Sequence, residues 1–227
     1  MVPTKEELDR AFDARFPQAF HQAVSAARVA IAGLGGLGSN LAVMLARSGV
    51  GHLLLVDFDR VDITNLNRQA YRIPHLGQYK TEALPSILRE INPYLDIQTW
   101  QGRVTEDNAA ALFGEYPIVC EAFDRPEEKS MLVNTLLRAC PNTVIVSGNG
   151  MAGYGDANLI HTRRVMSRLY VCGDGVSDVG EGMGLMAPRV AVCAGMQANQ
   201  VLRLIASQSA ISNVQCAMCN SFGGADF

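Results

Sequence analysis

The sequence predicts an α/β fold with a mostly parallel central sheet flanked by helices, and three observations carry that expectation. A short apolar run, Val29-Ala30-Ile31-Ala32, leads straight into the glycine cluster Gly33-Leu34-Gly35-Gly36-Leu37-Gly38. A helical stretch over 39–48 follows, Gly49-Val50-Gly51 turns the chain, and a second apolar strand over 52–56 stops at Asp57. Beyond it, strand-length apolar runs keep alternating with helical ones, the pattern of parallel strands joined by crossover helices.

Strand, glycine turn, helix, strand and acidic tip form a nucleotide-binding beta-alpha-beta unit. Gly33 allows the tight turn, Gly35 leaves the backbone open to a phosphate, and Gly38 permits close helix packing. The helix start offers unpaired N–H groups to an anion. Asp57 falls where a ribose hydroxyl would sit. This unit serves a redox cofactor and ATP equally well, so the residues after Asp57 must decide.

That next stretch reads Phe58-Asp59-Arg60-Val61-Asp62-Ile63-Thr64-Asn65-Leu66-Asn67-Arg68-Gln69. It gathers carboxylates, amides and arginines beyond a sheet edge, where open α/β sheets hold their ligands. Hydride transfer needs an apolar slot for nicotinamide, and this run offers metal or ribose ligands and a phosphate-binding Arg68 instead. Lys80 opens a helix over 80–91, with Pro85 inside it. An ammonium there opposes the helix dipole slightly, which a facing polyphosphate would explain and a plain surface position would tolerate. Asp124 stands at the end of a strand over 117–123. A carboxylate there can hold magnesium against phosphates, or simply cap the following helix or serve as a turn residue.

Around this centre the other elements follow in order. Residues 1–27 read as a helical extension, with Thr4 as N-cap, Glu6 and Glu7 in the first turn, and Leu8, Phe12 and Phe16 on one face. Pro17 interrupts it. Aromatic residues that cannot all reach the sheet make the extension a dimer element, and Arg10 and Arg15 stand on it as solvated or interface residues. A strand over 95–100, a Thr105-started helix to Phe113, a helix over 128–139 and a strand over 143–147 continue the alternation. Residues 156–160 suggest an edge strand. Arg163, Arg164 and Arg168 form a local positive cluster, and about 172–187 is a glycine-rich crossover loop. Pro188 starts a helix over 189–206 whose buried side is Val190, Cys193, Ala194, Gln197 and Val201. The nucleotide-binding domain spans 28–206 and a tail covers 207–227.

Composition narrows the class. Of 227 residues, 48% are hydrophobic and 18% charged, the formal net charge is −3, and no basic block occurs. Nucleic acid is therefore disfavoured as the main partner. No run approaches the roughly 18 apolar residues of a membrane span, and the charged N-terminus lacks a signal-peptide core. A cytoplasmic protein with six mostly reduced cysteines is the expectation.

The ordered set G-L-G-G-L-G-S, V-D-F-D-x-V-D-x-x-N-L-N-R-Q, G-x-x-K and a strand-tip aspartate resembles the ThiF/MoeB/ubiquitin-activating (E1-like) adenylyltransferases over roughly residues 12–206. The stretch Gly-Asp-Gly-Val-Ser-Asp-Val-Gly, followed by Gly-Leu-Met-Ala-Pro-Arg-Val, is most similar to the short bacterial ThiF-like branch of thiamine biosynthesis. The resemblance implies the Rossmann-like E1/ThiF fold, ATP and Mg2+. It implies attack by the C-terminal glycine carboxylate of a small ThiS-like carrier, ending in Gly-Gly, on the α-phosphate, with release of pyrophosphate. Gly33, Gly35, Gly36 and Gly38 would cradle the nucleotide, with Asp57 and Asp59 on its ribose side. Arg68 and Lys80 would neutralise phosphate charge, Asn65 and Gln69 would position phosphate or carboxylate, and Asp124 would hold the metal. Arg15 resembles an arginine lent to the neighbouring subunit of a homodimer.

The chain also departs from these relatives. Many carry two C-x2-C pairs for zinc, whereas here only Cys216 and Cys219 have that spacing. Cys172 stands alone, with Leu169 and Gly175 where a second thiolate would be needed, so zinc is disfavoured. Cys172 is also the crossover-region candidate for sulfur transfer, against an inert reading favoured by Asp174 nearby. The same activation chemistry would suit another carboxylate, including a tRNA-linked one, and a non-catalytic nucleotide-binding scaffold of the same fold is the alternative of a different class.

Overall fold

The computed structural model describes residues 2–181 and 184–208. Its strands are β1 (Arg28–Ala32), β2 (His52–Asp57), β3 (Asp96–Gln101), β4 (Ile118–Glu121), β5 (Val144–Gly148), β6 (His161–Met166) and β7 (Leu169–Gly173). Its helices are α1 (Lys5–Asp13), α2 (Gln18–Ala26), α3 (Gly36–Arg47), α4 (Lys80–Ile91), α5 (Glu106–Phe113), α6 (Pro126–Ala139) and α7 (Ala187–Gln208). The strands form one seven-stranded sheet in the order β3-β2-β1-β4-β5-β7-β6. Every pairing is parallel except β6 with β7. The strand order reverses between β1 and β4. A crevice therefore opens beyond their C-terminal ends, as the topology of open α/β sheets requires.

The central strands are apolar on both faces because helices cover both. On one face Leu41, Leu45, Leu84, Leu88, Val190 and Val201 from α3, α4 and α7 pack over Ile31 and Leu55. On the other, Phe113, Leu132 and Leu136 from α5 and α6 pack over Ala30, Val56 and Val119. The edge strands β3 and β6 are largely exposed and carry polar residues, which discourages pairing with other chains.

The helical extension has the expected start. Thr4 caps α1 in a reciprocal box with Glu7, and Pro17 separates α1 from α2. The two halves differ in depth, since α1 buries no residue whereas α2 buries His21 and Val24. Phe12, Phe16, Phe20 and His21 stack on one another, and Phe12 closes over Gly49.

The last third corrects the sequence expectation in three places. Residues 156–160 are not a strand: the Asp156 side chain accepts the Asn158 amide and winds Ala157–Leu159 into a 3-10 turn. The edge strand is β6 instead. Cys172 and Gly173, read as the start of the crossover loop, complete β7, so the irregular segment begins at Asp174. Finally, the arginine cluster divides. Arg163 and Arg164 lie on β6, while Arg168 folds inward and donates to the carbonyls of Leu137, Cys140 and Thr143. It satisfies carbonyls at the C-terminal end of α6, where a cation is favoured.

Candidate nucleotide site

The turn after β1 is shaped by two contacts that only glycine permits. Gly33 has φ +91°, and a Cβ there would stand 2.8 Å from the Ala122 carbonyl oxygen. A Cβ on Gly38 would meet the Gly33 carbonyl oxygen at 1.8 Å, so Gly38 makes room for its own turn as much as for helix–sheet packing. Gly35 is the N-cap of α3 and supplies no side-chain cap, which leaves first-turn amides open. Around Gly35 the space is free except for Gln69 Nε2, 3.8 Å from where a Cβ would be. Gly36 abuts Val190 of α7.

Three side chains not singled out from the sequence hold the following segment over this turn. Ser39 Oγ donates to the Gly35 carbonyl and accepts the Ala70 amide. Asn40 Nδ2 donates to the carbonyls of Gly36 (2.7 Å) and Arg68 (2.8 Å). Buried Tyr71 donates its hydroxyl to the Leu34 carbonyl, and burial, with Asp57 and Asp59 nearby, pushes that phenol well above its usual range. For Ser39 and Asn40 the signal in the sequence was polar residues at the otherwise apolar start of α3, whereas Tyr71 had none.

The result is that Arg68 and Gln69 hang above the helix start. Arg68 Nη1 donates to the Thr64 carbonyl and Asn67 Oδ1, and its Nε is buried without a partner among the described residues. Gln69 Oε1 is likewise buried and unpartnered. A buried unsatisfied polar atom is costly unless a ligand meets it. Asn65 is committed to local structure, since its Oδ1 accepts the Asp62 amide and closes a turn.

Asp57 braces the glycine turn from β2: Oδ2 accepts the Leu34 amide at 2.6 Å and Oδ1 accepts the Asp59 amide at 2.8 Å. Burial pushes its pKa up, against Lys80 and the two amides. Lys80, itself 5% exposed at the start of α4, donates to Asp59 Oδ2 at 2.9 Å and stands 4.0 Å from Asp57 Oδ2. The ammonium thus sits between two carboxylates, with Asp59 half exposed.

Asp124 lies across the crevice, exposed, and makes no hydrogen bond or ion pair among the described residues. It does not cap α6, because Arg125 occupies the N-cap position. Of the readings open from the sequence, this geometry removes the helix N-cap and leaves the turn residue and the metal ligand. The crevice therefore combines an open anion-binding turn, cations at Arg68 and Lys80, and an uncommitted carboxylate.

The family model described as "ThiF family" matches residues 8–222. The chain belongs to the ThiF family. Among its relatives, the molybdopterin-synthase adenylyltransferase of Salmonella typhimurium is 31% identical over 82% of this chain and 75% of its own length. The adenylyltransferase and sulfurtransferase UBA4 of Candida glabrata is 29% identical over 79% of this chain but only 42% of its own, so the chain spans less than half of that relative. Among solved structures, the E. coli tRNA N6-threonylcarbamoyladenosine dehydratase TcdA in complex with ATP superposes with a TM-score of 0.81 at 23% identity. The match covers 92% of this chain and 99% of that one.

In this ThiF-family chain residues 184–185, ahead of α7, contact the segment that follows β2 and the one that follows β5. Leu185 O accepts from Asn67 Nδ2, and Gly153 pairs with Gly184. The near end of the segment after β7 is tied down by a buried ion pair between Asp174 and Arg189. Burial pushes Asp174 up, but the amides of Ser177 and Val176 together with Arg189 outweigh it and hold the carboxyl below the ordinary aspartate range. Cys172 faces the core, 0% exposed, with its Sγ against Thr162 Oγ1, and burial raises the thiol pKa. That environment suits an inert residue, not a nucleophile. Cys193 is buried beside it, pushed up to about 12 by burial and Cys172. Arg15 is exposed between α1 and α2, and its side chain makes no hydrogen bond among the described residues. Cys216 and Cys219 lie outside the described residues. Among those described, no group of three or more His, Cys, Asp or Glu could hold a metal alone, and no helix is long and apolar enough to cross a membrane.

Proposed function

We propose that this chain is an ATP-dependent adenylyltransferase that activates a carboxylate. The attacking carboxylate oxygen bonds to the α-phosphorus of ATP, the bond to the bridging oxygen breaks, and pyrophosphate leaves with its electron pair. No general base is needed, because a carboxylate is already ionised near neutral pH. The observation that carries this reading is Arg68 Nε, a buried donor without a hydrogen-bond partner among the described residues, on a side chain that lies against Gly36 at a helix start with no side-chain cap. Phosphate oxygens would satisfy the guanidinium and the open amides, and the charge that develops on the leaving pyrophosphate falls to Arg68 and Lys80.

Magnesium fits the same donor set. A lone carboxylate cannot cage the ion, but Mg2+ is ordinarily held by one or two carboxylates together with substrate phosphates. Asp124, free of other bonds among the described residues, would be that carboxylate, and the ion would stabilise phosphate charge. Asp57 and Asp59 would meet the ribose, with Lys80 released toward phosphate as Asp59 turns to the nucleotide.

The substrate class is a carboxylate presented on a macromolecule. A small ubiquitin-like carrier ending in Gly-Gly is supported by the named adenylyltransferase relatives, and the ThiS-like carrier of thiamine thiazole biosynthesis is one member of that class. A tRNA-linked carboxylate is supported by the near-complete superposition on the dehydratase. Incubating the protein with labelled ATP and Mg2+ and then adding either a Gly-Gly carrier or bulk tRNA separates them. Pyrophosphate release stimulated by one addition only assigns the substrate, and release with neither, from protein that binds ATP, rejects both classes.

We place Arg15 in the active site of the neighbouring subunit of a homodimer. Its exposed, unpaired guanidinium on a helical extension supports that role. Arg15→Ala mixed with Asp124→Ala should then recover activity that neither variant has alone, and an additive mixture without recovery would remove Arg15 from the site.

A further inference from the structure

Glu121 ends β4 and is fully buried, yet the chemistry above makes no use of it. Its Oε1 accepts the Phe123 amide at 2.8 Å and Lys129 Nζ at 3.0 Å. Its Oε2 accepts Ser147 Oγ at 2.5 Å and lies 2.9 Å from the same ammonium. Lys129, in α6, also donates to the Phe123 carbonyl, and Gln197 of α7 donates to the Glu121 carbonyl. A buried ion pair contributes little net stability, and well-packed apolar residues often serve a core as well or better.

The network converges on the backbone of residues 121–123, immediately before Asp124. That backbone is also fixed from β1, since the Ala122 amide donates to the Ala32 carbonyl and the Ala122 carbonyl oxygen lies against Gly33. One short turn thus joins the glycine loop to the strand tip carrying Asp124, while the Asp124 side chain stays uncommitted among the described residues. We infer that Glu121 and Lys129 are a positioning pair that sets the Asp124 carboxylate relative to the nucleotide turn. The inference deepens the proposed function and rests on Asp124 as the magnesium ligand. With Glu121 satisfied by Lys129, Ser147 and the Phe123 amide, Asp124 is the carboxylate at this strand tip available to a cation.

The test uses Glu121→Gln, Lys129→Met and Lys129→Arg in the full chain, with three readouts. Amide hydrogen exchange of residues 121–125 should rise in the first two variants while the β2 and α4 amides stay protected. Mn2+ affinity, read by electron paramagnetic resonance with a non-hydrolysable ATP analogue, should weaken on the order of tenfold. In ATP–pyrophosphate exchange kcat should fall about tenfold or more, with KM for ATP changed less than about threefold, as displacement of a positioned group demands. Lys129→Arg should recover most of each loss. Should a single variant not fold, the double variant Glu121→Gln/Lys129→Met removes both charges and carries the same readouts. Folded variants with unaltered exchange at 121–125 and unaltered Mn2+ affinity overturn the inference. A wild-type protein without pyrophosphate exchange would defeat the proposed reaction, whereas the hydrogen-exchange and Mn2+ readouts would still decide the positioning pair.

Discussion

Asp57 serves two backbone amides at once, and that double service ties the tip of β2 to the glycine turn after β1. An asparagine keeps one acceptor and loses the charge beside Lys80. Asp57→Asn should therefore cost about 1–3 kcal/mol, the penalty for leaving a buried polar group unmatched, read as a lower urea midpoint with an unchanged slope. At Gly33 the left-handed φ and the Ala122 carbonyl leave no room for a methyl group. Gly33→Ala should abolish measurable ATP binding by calorimetry, and wild-type affinity in that variant would show that the turn does not cradle the nucleotide. These local features were legible in the sequence because glycines and a strand-end carboxylate announce themselves by spacing. Glu121 and Lys129 were not. Glu121 is a single acid inside the strand-like run Pro117-Ile118-Val119-Cys120-Glu121-Ala122-Phe123, and its partner lies on the next helix, a tertiary relation that no local periodicity encodes.

At the level of elements, the segment after β7 depends on one charge pair. Arg189 is 4% exposed at the start of α7, and Asp174 is its counterion. Removing one partner of a buried pair leaves an uncompensated charge, so Asp174→Asn should cost about 3–5 kcal/mol near neutral pH. The pH dependence follows from the lowered Asp174 pKa. A depressed folded-state value contributes stability that is present above the unfolded aspartate pKa of about 3.9 and is lost as pH falls through the folded value. The gap between wild type and Asp174→Asn in urea denaturation should therefore be constant above about pH 5 and close in acid. A gap that persists unchanged at low pH would remove the ion pair as its cause. The same region shows where sequence periodicity fails. The Asx turn at Asp156 stands where an edge strand was expected, and β7 exists because β5 and β6 pair with it, not because its five residues alternate.

For the whole molecule, the sheet order fixes which residues can meet. The reversal between β1 and β4 brings Gly33, Asp57 and Asp124, far apart in the chain, to one crevice, and the segment 62–72 delivers Arg68 and Gln69 above it. This convergence was readable from the ordered motifs. The Lys80–Asp59 pairing and the commitment of Asn65 to a turn were not, since both depend on the folded path of the loop. In the proposed reaction the crevice transfers an adenylyl group from ATP to a carboxylate. The most direct measurement is ATP–pyrophosphate exchange with Mg2+, with and without a carrier ending in Gly-Gly or bulk tRNA, run beside Asp124→Ala. The expected result is exchange that requires one of those substrates and falls by at least about a hundredfold in the variant, the scale on which a lost charge-stabilising group acts. Exchange absent with every substrate from protein that binds ATP, or present at full rate in Asp124→Ala, would contradict it.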